Sequence, residues 1–207
     1  MVRRTTIDHL DKDRITNAIR SAEAKTAGEI FCVIARQSDS YALVPFVWAS
    51  TIALVAPVPL IILAKLPVAQ VYLAQLVIFL LTVLVLSLPA IRFRVVPRAI
   101  KNRHAHEEAV RQFFAQGLYK TEQRTGVLIF ASLAERYAEI VADSGINEKV
   151  SAQVWKDAIT LLVDGVKNEH PTDGFVAAIE CCGMVLAKHF PPGSLNRDEL
   201  PDRVVEI

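Results

Sequence analysis

None of the common phosphate-loop, dinucleotide, zinc-protease, nucleophile-elbow or calcium-loop patterns occurs in the 207 residues. The nucleotide-binding, metalloprotease, α/β-hydrolase and EF-hand classes therefore lose their usual sequence support. An excess of one charge sign is also lacking, since 23 Lys and Arg against 22 Asp and Glu leave a net charge of +1. A general nucleic-acid footprint is excluded with it. Cysteine is sparse. Cys32, Cys181 and Cys182 form no C-x-x-C pair, and a bridge between the adjacent two would be strained, so reduced thiols are expected. Behind the basic start no apolar run follows, and no cleavable leader is expected.

Apolar sequence, by contrast, is abundant. At 52% hydrophobic and 22% charged the chain is more apolar than an ordinary soluble domain, yet it has enough polar sequence for a part outside a bilayer. Two stretches, 42–64 and 68–91, are almost wholly apolar. Each matches the ~20 residues a helix needs to cross the hydrocarbon core. Only Lys65, Leu66 and Pro67 lie between them, which forces an antiparallel hairpin and puts the flanking segments on one side of the membrane. Pro57 and Pro59 would kink the first stretch; a re-entrant segment is the alternative to two full spans. Tyr41, Trp48 and Tyr72 stand where interfacial aromatics are expected.

Orientation follows from basic residues. After the second stretch come Arg92, Arg94, Arg98, Lys101 and Arg103 without an acidic residue among them, against Lys65 alone on the short loop. Both termini are therefore expected in the cytoplasm, with the five basic residues contacting lipid headgroups.

The polar segments read as one α/β domain. Ile15, Ala18, Ile19 and Ala22 repeat at helical spacing within 11–26 and feed a buried strand at 29–35. Beyond the apolar stretches, Val110, Phe113 and Phe114 mark a helix ending near Gly117. Strands at 126–132 and 137–143 are joined by a polar turn through Glu135 and Arg136. Two helices follow, at about 148–167 with Asn147 as a candidate N-cap, and at about 173–188. The first carries Val150, Val154, Ala158, Leu161 and Leu162 on one face. The tail ends in "RVVEI", a β-prone run expected to cover a sheet edge of its own domain, the alternative being a partner's edge.

The order helix, strand, apolar hairpin, helix, two strands, two helices predicts helices packed on a small mixed sheet, with the hairpin as an insertion. The expected organisation is 1–41 as the first part of a cytoplasmic domain, 42–91 as a transmembrane hairpin, 92–190 as the second part, and 191–207 as a tail.

"AGEIFCVIA" after an amphipathic helix, followed by "RTGVLIFASLAERYAEIVADSGI", resembles the TPM domain family over about residues 8–190. The resemblance implies an α/β sandwich of helices on a sheet, held by a membrane anchor. Some members have been proposed as acid phosphatases and others as accessory factors of membrane complexes. An anchor lying inside the domain departs from the commoner arrangement and places the domain on the cytoplasmic side of a bacterial inner membrane.

Carboxylates at element ends are the candidate chemistry. Asp39 follows the first strand, Asp143 ends the second hairpin strand, and Asp173 opens the last helix. Oxygen-only ligands of this kind suit Mg²⁺ or Ca²⁺ and would position a phosphate ester for attack by water. Alternatively each supports a turn or a helix terminus locally. Arg36 and Arg136 are candidate phosphate clamps or surface charges. His104, His106 and Glu107 are of metal-ligand type, but their helical spacing turns the two imidazoles to different faces. Cys181, Cys182 and His189 lie on the final helix, where core thiols are expected. Two functional classes remain. One is a membrane-anchored accessory or scaffolding factor that contacts lipid and another membrane protein; the other is a divalent-metal-dependent, acid-phosphatase-like hydrolase.

Overall fold

Strict alternation along two strands decides which helix packs where. The computed structural model describes residues 9–62, 64–168, 170–192 and 199–207. In chain order the elements are α1 (His9–Glu23), β1 (Glu29–Ala35), α2 (Val44–Val55), α3 (Pro57–Ile62), α4 (Val68–Ser87), α5 (Pro89–Val95) and α6 (Arg98–Ala115). A 3-10 turn at Leu118–Lys120 then leads to β2 (Gly126–Ser132), β3 (Tyr137–Ala142), α7 (Ser144–Asn147), α8 (Ala152–Lys167), α9 (Pro171–His189) and β4 (Val204–Glu206). The chain divides into two units. One comprises Met1–Ser38 and His104–Ile207, the other Asp39–Arg103.

In the first unit the sheet order is β3-β2-β1-β4. β1 runs parallel to β2 from Glu29↔Gly126 to Ala35↔Ser132 and parallel to β4, while β3 is antiparallel to β2. Every residue of β1 and β2 is buried, as strands covered on both faces must be. Because successive side chains point to opposite faces, Ile30, Cys32, Ile34, Val127, Ile129 and Ala131 enter one core with Ile15 and Ile19 of α1, Ala158 and Leu162 of α8, and Phe175 and Ile179 of α9. Phe31, Val33, Ala35, Leu128 and Phe130 enter the other, against Ala105, Ala109 and Phe113 of α6. The result is the expected three layers: helix, mixed sheet, helix.

Several local expectations shift. On α6 the buried face is Ala105, Glu108, Ala109, Gln112 and Phe113, and Phe114 is exposed. On α8 the face is rotated so that Leu161 is exposed while Trp155, unnoticed in the sequence, is buried with Ala158 and Leu162. Ser151, not Asn147, occupies the N-cap position of α8. Asn147 belongs to the short α7 and donates its side-chain amide to Ala142 O at 2.8 Å. The tail expectation is met: Val204, Val205 and Glu206 pair with Cys32, Val33 and Ile34.

In the second unit the prolines divide the apolar stretches. α2 gives way to α3 at Ala56, before Pro57, and α4 stops at Ser87, where Leu88 is extended ahead of Pro89. A proline ring cannot donate the next helical hydrogen bond and disfavours helical geometry in the residue before it; Leu88 turns extended, whereas Ala56 keeps helical angles. α2 and α4 pack on each other. Tyr41 meets Phe93 edge to face at 5.7 Å, and Trp48 donates its indole N–H to Val95 O at 3.3 Å.

Candidate functional site

The carboxyl ends of β1 and β2 lie side by side, and there the first unit gathers a buried polar cluster. Ser132 closes β2, and three residues later Glu135 occupies the tight turn into β3, in which Arg136 takes the left-handed conformation at φ 54 and its amide donates to Leu133 O at 3.3 Å. Glu135 is buried. Its carboxylate accepts the Ser132 hydroxyl through one oxygen and the Ser38 amide through the other at 3.0 Å, while Ser38 Oγ donates to Ser132 Oγ at 3.1 Å. Leu133 and Ala134 donate their amides to Ala35 O and Arg36 O at 3.0 and 3.1 Å. A buried carboxylate is costly unless donors surround it, and this one has them. The arrangement fastens the segment leaving β1 to the β2–β3 turn. A hydroxyl directed at a carboxylate is also the pair of groups from which an activated nucleophile is built. The sequence reading passed over Ser38, Ser132 and Glu135. The available signal was the S-x-x-E spacing of Ser132 and Glu135, familiar from helix caps, straddling a turn instead.

Arg36 and Arg136, the clamp candidates, flank this cluster in the chain. Arg36 is directed at Glu206 at 3.4 Å. Arg136 is exposed, and no side-chain hydrogen bond or ion pair engages it among the described residues.

The aspartates have separate local partners. Asp143 lies at the far end of the sheet from Ser132, since Val127↔Ala142 closes the β2–β3 ladder there. It caps α7, accepting the Ser144 amide at 2.6 Å, with Arg124 at 4.0 Å. Asp173, exposed in the first turn of α9, pairs with Arg14 at 2.6 Å. Asp39 belongs to the second unit and accepts the Tyr41 amide at 2.9 Å. Among the described residues no group of three or more His, Cys, Asp or Glu is placed to hold a metal ion. Each of the three carboxylates fills a local role, of a kind that element ends attract whether or not carboxylates converge.

The histidines also go separate ways. His104 faces Glu107 at 3.6 Å, while His106 Nδ1 reaches Glu139 of β3 at 2.9 Å. Tyr137 donates its hydroxyl to the same carboxylate at 2.9 Å. Burial, then the neighbouring Glu139, pushes the Tyr137 phenol above its ordinary range. The cysteines are free thiols; Cys32 and Cys182 are buried and Cys181 partly so, and burial raises all three.

In the second unit, Val44–Ile62 and Val68–Ser87 are long and apolar enough to cross a membrane. Little of either is covered: 17% and 6% of their most apolar windows are buried, where the core helix of a soluble protein would be mostly buried. Leu54, Val68, Tyr72, Leu73 and Leu84 are among the most exposed large side chains of the protein. Asp39 and Glu107 are consecutive acidic residues, so nothing negative lies on or between these helices or in the basic run 92–103.

Fold and composition thus define a three-layer α/β domain interrupted, between two paired strands, by a pair of exposed apolar helices. Residues 89–185 match the family described as the TPM domain, so the resemblance drawn from "RTGVLIFASLAERYAEIVADSGI" stands over that segment. The whole chain is similar in fold to the BA42 protein of the psychrophilic bacterium Bizionia argentinensis, solved by NMR. At 20% identity the two align over 99% of this chain and 97% of that one, with a TM-score of 0.63. No curated protein sequence matches significantly.

Proposed function

We propose that the protein is a membrane-anchored TPM-type module that acts as an accessory or scaffolding factor for a membrane protein complex in a bacterial inner membrane, with both termini cytoplasmic. One observation carries this reading. A pair of exposed apolar helices leaves the domain after β1, and the chain returns to complete the same sheet with β2. A sheet completed from both sides of an insertion tethers its domain twice, which suits a module that holds a partner at the bilayer. Arg92, Arg94, Arg98, Lys101 and Arg103 follow the second helix and supply the headgroup contacts, each worth about 1 kcal/mol near an anionic surface.

Reporter fusions after Gln37, within 65–67 and after Ile207 should read inside, outside and inside. An outside signal at Ile207 would end this reading. Phosphate release from a generic phosphomonoester is the competing activity. Turnover by the purified protein that is lost in Glu135→Gln would favour hydrolysis at the strand-end cluster over scaffolding.

A further inference from the structure

The second strand neighbour of β1 is held very differently from the first. Against β2, β1 forms seven residue pairs, all buried. Against β4 it forms three, between half-buried β4 residues and the strand. The backbone of the tail is joined there by Ile207 N–H to Ile34 O at 3.0 Å and Arg36 N–H to Ile207 O at 2.8 Å. Val204 leans on one core and Val205 on the other, so two successive apolar side chains straddle the sheet edge. Carboxylates bracket them, and each meets a cation: Asp202 meets Arg20 at 3.1 Å, and Glu206 meets Lys12 at 3.1 Å and Arg36 at 3.4 Å. The seated segment spells the recognition rule as carboxylate, any residue, two apolar β-formers, carboxylate.

We propose that the outer edge of β1, with Lys12, Arg20 and Arg36, is a strand-receiving groove that residues 202–207 fill in the resting protein and that an extended acidic segment of a partner protein replaces. Strand addition supplies affinity through main-chain bonds and specificity through alternate side chains, and the basic residues select for acidic partners. Three residue pairs hold the short cis strand against seven for β2, so it is exchanged more readily than β2. The groove is read from this chain alone; that a partner supplies the strand rests on the accessory reading above.

The test uses a fluorescent peptide of sequence ELPDRVVEI, copied from 199–207, and detergent-solubilised full-length protein. In a full-length variant carrying Asp202→Lys and Glu206→Lys the cis strand is repelled, and the peptide should bind about tenfold tighter than to the parent, where the groove is occupied. Binding should weaken with salt and fall about tenfold on adding Arg36→Glu. Equal binding of a peptide with the positions of Asp202 and Glu206 changed to Lys, or no binding to a cooperatively melting double variant, overturns the proposal. Should that variant not melt cooperatively, hydrogen exchange in the parent decides. The Arg36 amide should exchange well before those of β2, and equal protection overturns the idea, since a strand that never leaves cannot be replaced. A dimer that dissociates when 199–207 are removed makes a second copy the occupant and overturns the partner assignment. Failure of the topology reporters with peptide binding intact removes the accessory reading alone.

Discussion

Glu23 is a carboxyl whose chemistry departs far from its exposed reference. In the last turn of α1 it accepts the Ile30 amide at 2.6 Å, and burial, followed by its contact with Asp202, pushes its pKa from 4.5 up to about 10. The folded protein therefore carries a proton there, at neutral pH, that the unfolded chain has released. Stability from this group is complete below about pH 4.5 and is lost progressively as pH rises towards 10. Glu23→Gln keeps an acceptor for Ile30 and a donor for Asp202 but does not titrate. Thermal melts between about pH 5 and pH 9 should fall with pH in the parent and stay flatter in the variant; equal slopes would acquit Glu23. Glu135 belongs to the same scale. Glu135→Ala strands the Ser38 amide and the Ser132 hydroxyl and should cost roughly 1–3 kcal/mol, whereas Arg136→Ala, at an exposed side chain, should stay within about 0.5 kcal/mol in denaturant titrations.

Among the elements, α8 and α9 approach most closely where Gly165 faces Gly174. A Cβ on Gly165 would lie 2.4 Å from Gly174 Cα and 2.6 Å from its nitrogen, so backbone rather than a movable side chain would have to yield. Gly165→Ala should therefore destabilise by roughly 1–3 kcal/mol, despite the better helix propensity of alanine. A stability equal to the parent in urea unfolding would mean that the helices slide apart at no cost. The apolar helices obey another rule. α4 is apolar apart from Gln70, Gln75 and a few weakly polar residues and is mostly exposed, so no stripe marks a side to bury.

At the scale of the molecule, the seven-residue register between β1 and β2 joins segments separated by the whole second unit. The core of the first unit draws on residues from both sides of the insertion. Replacing 42–91 by a short flexible linker should then leave a soluble domain that unfolds in one cooperative step, because loop closure costs grow only slowly with length. Circular dichroism and calorimetry of that protein check it; a non-cooperative melt would show that the apolar helices are needed for folding.

Periodicity determined much of this protein by itself. The all-apolar runs, the continuous buried strands Glu29–Ala35 and Gly126–Ser132, the helical repeat of Ile15, Ile19 and Ala22, and the β-prone tail were legible because each depends on neighbours a few residues away. Helix faces were less secure: one position of rotation separates Leu161 from Leu162, and only the packed partner selects between them. The sites were hidden altogether. Asp39, Asp143 and Asp173 look alike in sequence, yet Asp143 stands at the opposite end of the sheet from Ser132, while Ser38, Ser132 and Glu135, spread over the chain, share three hydrogen bonds. Which strand ends adjoin is set by sheet order and direction, and those follow from the joint burial of both faces rather than from any local preference.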